Sequence, residues 1–194
     1  MTTIQRRARA PRHRLTALAV LGAAASVAAL ALAGPATAAK LGGKTLLAPK
    51  AATFDALAAE GVTVAPAGNA EVTGKGIAFP ITRGKLNVER VSGKLKHSGG
   101  LTFSDHGTSL TLQNFVIKVG AKDVIRADVA GGGKVRLADL DLDKARISER
   151  GDRVVISKVK ALLAGKAARA LSATFGLPDL AGANLGKAKV KVKP

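Results

Sequence analysis

The sequence predicts a mainly β protein: an antiparallel two-sheet sandwich or open barrel, with two short amphipathic helices near the ends of the mature chain. Three observations predict it. From residue 70 to residue 159 apolar and β-branched residues recur at alternate positions between clusters of Gly, Asn, Asp and Ser, the pattern of half-buried strands. The segments joining them are short, about two to five residues, which suits antiparallel pairing because parallel pairing needs long crossovers. Finally, Leu46-Leu47-Ala48-Pro49-Lys50-Ala51-Ala52 recurs as Leu162-Leu163-Ala164-Gly165-Lys166-Ala167-Ala168, differing only where Gly165 replaces Pro49, and both copies continue into helical spacing.

The chain divides into a leader, residues 1–39, and a single domain, residues 40–194. Arg6, Arg7, Arg9, Arg12 and Arg14 form a basic start, Leu15 to Ala33 is an apolar run, and Gly34-Pro35 precedes the small residues Ala36-Thr37-Ala38-Ala39. That order is the signature of a cleavable secretory signal, with cleavage after Ala38 or Ala39. An uncleaved membrane anchor is the competing reading of the same run. Arg6-Arg7 is a weak match to twin-arginine export. The remainder, about 155 residues, is enough for one domain with a sizeable core. With no cysteine anywhere, core burial alone must hold it together, and Cys-based zinc or redox chemistry is excluded.

Taken in order, the first copy of the echo reads as a short strand feeding a helix with Ala51, Phe54, Leu57 and Ala58 on one face, stopping at Gly61. Strands are then expected at Ile77 to Ile81, where Pro80 argues for an edge or a bulge, and at Leu86 to Val91, Gly93 to His97 and Leu101 to Phe103. Ser109 to Val119 is the clearest strand, with a phase shift near Asn114 that suggests a bulge. Val124 to Val129, Lys134 to Leu142, Ala145 to Ser148 and Arg153 to Val159 complete the series. The second helix places Ala167, Ala170, Leu171 and Phe175 on one face and ends at Gly176, with Pro178 beyond. In the tail, Lys187 to Lys193 alternates strictly. As a strand it buries Ala188, Val190 and Val192, and its lysines guard an exposed edge or serve as an electrostatic anchor.

The formal net charge is +18, and removing the five leader arginines leaves +13 on the domain. Such an excess attracts polyanions: wall polymers, anionic lipid surfaces or acidic small molecules. Nucleic acid is not expected, because base-stacking platforms need aromatic side chains and this chain has five Phe, no Tyr and no Trp. Beyond the leader no apolar run is long enough to span a bilayer.

Few residues could carry chemistry. In the domain the histidines are His97, in Lys96-His97-Ser98-Gly99-Gly100, and His106, in the polar turn Ser104-Asp105-His106-Gly107. Glycines beside His97 allow close backbone approach, which suits a ligand site or a tight hairpin. His106 reads as solvated. Asp139, Asp141 and Asp143 share a strand face that could hold Ca²⁺, but the glycine and terminal Glu of a calcium loop are missing, so a solvated face paired with Arg136, Lys144 or Arg146 is expected. Gly131-Gly132-Gly133-Lys134 lacks the spacing of a phosphate-binding loop and joins two strands, as a hairpin would. There is no G-x-S-x-G, and Glu60, Glu71, Glu89 and Glu149 are isolated. No enzyme activity and no metal site are expected.

Phe79-Pro80-Ile81-Thr82, Gly93 to Phe103 and Leu110-Thr111-Leu112-Gln113-Asn114-Phe115-Val116-Ile117 together are similar to the Htaa-domain family, secreted or surface-anchored actinobacterial proteins of which the best known take up haem. The resemblance implies two β-sheets with short helices, and a pocket in which a tyrosine ligand is supported by a histidine and a phenylalanine. It puts His97 at the histidine position and leaves the phenylalanine unplaced. With no tyrosine in the chain, tyrosinate ligation is impossible. Haem would have to use His97 as axial ligand, with Lys and Arg pairing its propionates. The function expected is therefore an exported, non-enzymatic binding protein at the cell envelope, for haem or another anionic ligand in iron acquisition. The alternative is a structural or adhesive envelope protein held to anionic wall polymers by its basic surface.

Overall fold

The computed structural model describes residues 41–193. The expected leader, with its cleavage site and His13, lies outside the described residues. The elements are β1 (Gly42–Pro49), α1 (Ala51–Ala59), β2 (Thr63–Ala67), β3 (Glu71–Thr73), β4 (Gly76–Asn87), β5 (Ser92–His97), β6 (Gly100–Asp105), β7 (Thr108–Val119), β8 (Val124–Val129), β9 (Lys134–Asp141), β10 (Arg146–Arg150), β11 (Arg153–Leu163), α2 (Gly165–Phe175) and β12 (Asn184–Lys193). In the order β7, β5, β4, β1, β12, β11, β9, β8 each strand pairs antiparallel with the next, and β8 pairs back with β7. The expected sandwich or open barrel is thus a barrel, and a closed one of eight strands. An interior of that width is just filled by side chains.

Strand pairing explains the helices. β1 and β11 flank β12, both antiparallel to it, so they run parallel to each other and deliver α1 and α2 to the same end of the barrel. Each copy of the sequence echo therefore marks a strand turning into a helix. α2 buries Ala167, Ala168 and Leu171, while Ala170, expected on that face, is exposed; it ends at Gly176 in the left-handed conformation. α1 is looser. It buries Leu57 alone, half-buries Thr53 and Phe54, leaves Ala51 and Ala58 in water, and has no side-chain cap at its start.

β5 and β6 form one bent strand that pairs along β7, β6 with its first half and β5 with its second. Opposite the bend lies the predicted bulge, with Asn114 at φ 53° and a register shift between Gln113 and Val116 in the β7–β8 pairing. Gly99 and Gly100 are required at the bend: a Cβ on Gly99, itself at φ 78°, would fall 2.3 Å from the Ala70 nitrogen, and one on Gly100 would fall 2.0 Å from the Leu112 oxygen.

Two expectations need correction, and a third resolves between its alternatives. The tail strand β12 buries Ala188, Val190 and Val192 as its alternation requires, yet it is paired on both sides and guards no edge. For Pro80, expected at an edge or a bulge, the structure has the irregularity and not the edge, since β4 is paired on both sides. Pro80 falls between the stretch of β4 that pairs with β3 and the stretch that pairs with β5, beside a register shift at Ile81/Arg83, where a missing N–H costs no ladder bond. Leu86 to Val91 is not a separate strand: β4 runs on to Asn87, and a turn follows.

Candidate functional site

The helix-capped end of the barrel encloses a cavity of about 50 Å³. Phe54 and Leu57 of α1 close it, apolar side chains such as Phe79 and Phe115 form most of its wall, and Thr45 and His97 are its polar residues. The two phenylalanine rings stand 5.0 Å apart at 51°, within the range of favourable tilted aromatic pairs.

His97 is 4% exposed, at the point where β5 bends into β6. Both ring nitrogens are engaged: Nδ1 lies 3.0 Å from the Phe115 carbonyl oxygen and Nε2 lies 2.8 Å from the Thr45 hydroxyl. The bulge at Asn114 makes the first contact available, because residues 114 and 115 are skipped by the β5/β6–β7 ladder. A carbonyl can only accept, so Nδ1 carries the proton and donates it. In neutral imidazole Nε2 is then an acceptor, and the Thr45 O–H donates to it. Burial pushes the His97 pKa down to about 4, outweighing the opposing hydrogen bond to the Phe115 carbonyl. The ring is therefore neutral at physiological pH, with its tautomer and plane set by the backbone and its Nε2 lone pair taken by the Thr45 hydroxyl, both residues lining the cavity.

Other candidates resolve as ordinary surface. His106 is 91% exposed and pairs with Asp105 across the β6–β7 turn, as expected of a solvated turn. Asp141 accepts from Lys160 at 2.7 Å and from the Asp143 N–H, while Asp139 pairs with Arg136. The Lys160 hydrogen bond holds the Asp141 carboxyl below its usual range. Among the described residues no group of His, Asp or Glu is arranged to hold a metal ion. Gly131 to Gly133 turn β8 into β9, and Lys134 bonds Asp128 at 2.9 Å. Thr45 is the residue that sequence reasoning missed. Its signal was present: a polar residue alternating with Leu47 at the inward positions of β1.

A family model described as Htaa matches residues 54–176. The chain belongs to the Htaa family. Solved structures of the Htaa fold agree with the barrel described above. The C-terminal domain of HtaA from Corynebacterium glutamicum superposes with a TM-score of 0.60 at 15% identity, over 79% of this chain and 98% of that one. The N-terminal domain of the same protein gives 0.57 at 14% identity, over 78% and 96%. No curated protein matches the chain. Among the described residues of this Htaa member, no helix is long and apolar enough to cross a membrane.

Proposed function

We propose that this Htaa domain is an exported, non-enzymatic binding protein of the cell envelope, whose ligand site is the His97 cavity and whose candidate ligand is haem. The observation that carries the reading is the neutral, backbone-oriented His97 in the wall of an aromatic-lined cavity, where a single hydroxyl, that of Thr45, covers its Nε2. A carbonyl holding the far nitrogen of a ligating imidazole is the usual way a protein aims such a ligand. Family membership supports a binding role, and the basic surface suits the propionates of a haem. The resemblance implies a tyrosine hydroxyl supported by the histidine; in this chain the hydroxyl that meets His97 is that of Thr45, which stays protonated at neutral pH.

A neutral imidazole suits a haem iron once the Thr45 hydroxyl turns away from Nε2, but a cavity of this size does not fit a porphyrin. Ligand pockets usually span roughly 300–1,000 Å³, against about 50 Å³ here. Entry requires the wall to move, and α1 is the wall held by least, with one buried side chain.

Titrating hemin into the purified protein tests the reading. A saturable one-to-one Soret shift, lost in His97→Ala and kept in Thr45→Val, is expected. No saturable shift, or the same shift in folded His97→Ala, would overturn it and exclude His97 as ligand. A melting curve establishes that each variant is folded.

A further inference from the structure

The wall of the barrel is divided by charge. β7, β5, β4, β1 and β12 are contiguous in the ring, and none contains Asp or Glu, while all carry outward Lys or Arg. On the other side Asp128, Asp139 and Asp141 neutralise Lys134, Arg136 and Lys160. Among the described residues, Lys193 is the one cation of the acid-free strands found in an ion pair, with Asp152. We propose that this acid-free wall binds a linear polyanion without bases, a polymer of repeating phosphate charge.

The register is the main support. Lys85 faces Lys94, which faces Lys118, so three lysines line up across β4, β5 and β7. Arg83 faces Lys96 one step along, and Lys44 faces Lys191 on β1 and β12. Like charges directly opposite on a sheet destabilise it, so folding alone does not favour this arrangement. The neighbouring strands sit about 4.8 Å apart and successive outward residues about 6.8 Å apart, giving a grid on which a flexible charged chain can be neutralised at many points. At the end of the wall by β1 and β12, Lys44, Lys191, Lys193 and Arg153 border an open groove of about 430 Å³.

Two features select the polymer over other anionic surfaces. The cations follow a convex curve over five strands, which a flexible chain can track and a flat bilayer touches along only a narrow stripe. The wall also offers nothing to insert or stack: the exposed large apolar residues of the described chain are Val72 and Val91, and neither is an aromatic. Base-bearing strands are ordinarily held on aromatic platforms.

The test is binding of long-chain linear polyphosphate to the full protein by calorimetry, between about 50 and 200 mM salt, where such contacts weaken steeply. Lys85→Gln/Lys94→Gln/Lys118→Gln should lower the slope of log affinity against log salt by about two, since each neutralised charge of a single-stranded polyanion contributes roughly 0.7. Its melting temperature should stay equal or rise, which keeps unfolding out of the result. Lys134→Gln/Arg136→Gln/Lys160→Gln removes the same formal charge from the opposite wall and should leave the slope nearly unchanged. Equal losses in both variants would overturn the proposal in favour of diffuse attraction by net charge. Tighter binding to phosphatidylglycerol vesicles, or saturation by orthophosphate, would overturn it in favour of a lipid surface or a single-ion site. His97→Ala should have no effect, so this proposal and the cavity reading stand or fall separately.

Discussion

At the helix-capped end the barrel interior holds a cavity of about 50 Å³ with the Thr45–His97 pair in its wall, whereas at the opposite end a void of about 30 Å³ is bounded only by apolar residues and Gly93. Ile117 and Ala188 border both. The same ring of strands thus encloses two imperfectly filled spaces, and only one contains a group able to coordinate or to orient a ligand. Voids of this size are ordinary where side chains fill an eight-stranded barrel. A buried histidine with both nitrogens bonded and its pKa displaced is not, and burial with specific partners is the physical mark of a site candidate. Volume does not separate the two ends; chemistry does.

The largest expected effect lies at the apolar end. Ile156→Ala removes a buried side chain from that void and should cost about 2–5 kcal/mol of stability, measurable by denaturant unfolding, while hemin titration of the folded variant remains as in the parent. A change in hemin affinity there would break the distinction between packing end and site end.

The polar end should show itself in pH. The folded-state pKa of His97 is about 4, below its ordinary 6.5, so between these values the unfolded chain takes up a proton that the folded one refuses. Stability contributed by the neutral ring is complete above about pH 6.5, falls with pH, and is gone below about pH 4, a change of roughly 3 kcal/mol. Unfolding curves across that window should show the slope in the parent and lose it in His97→Gln. A slope of the same size in His97→Gln would place its origin elsewhere.

Thr45→Val should cost about 1–3 kcal/mol, because it leaves Nε2 as a buried acceptor without a donor. Ala56→Gly, at an exposed position inside α1, should weaken that helix by about 1 kcal/mol. Faster amide exchange confined to α1, with faster hemin uptake, would mark it as the movable wall; exchange spread over the barrel would show that α1 is an integral part of it.

Much of this was legible in the chain. The alternation of Leu110 and Leu112, its phase change at Asn114 and its resumption at Phe115, Ile117 and Val119 describe β7 and its bulge, because strand periodicity is local. His97 stood out by being one of few candidate ligands beside two glycines that the bend demands. Two strands escaped. β2 reads Thr-Val-Ala-Pro-Ala, with a proline that argues against a strand, and β3 has only three residues, too few for a period. Thr45 escaped because its partner is 52 residues away.

By itself the sequence determined the mainly β class, the strand-to-helix units at both ends, the β7 bulge and the histidine to watch, since each rests on residues close along the chain. Ring closure, by contrast, joins β1 to β12 and β7 to β8, and so decided that the lysine-rich tail is an interior strand. The tertiary structure alone also placed Thr45 against His97, lined up the lysines of β4, β5 and β7, and put the paired Asp128, Asp139 and Asp141 on the other wall. Those outcomes depend on register between distant segments, and a local period constrains which face a residue takes but not which residue it meets.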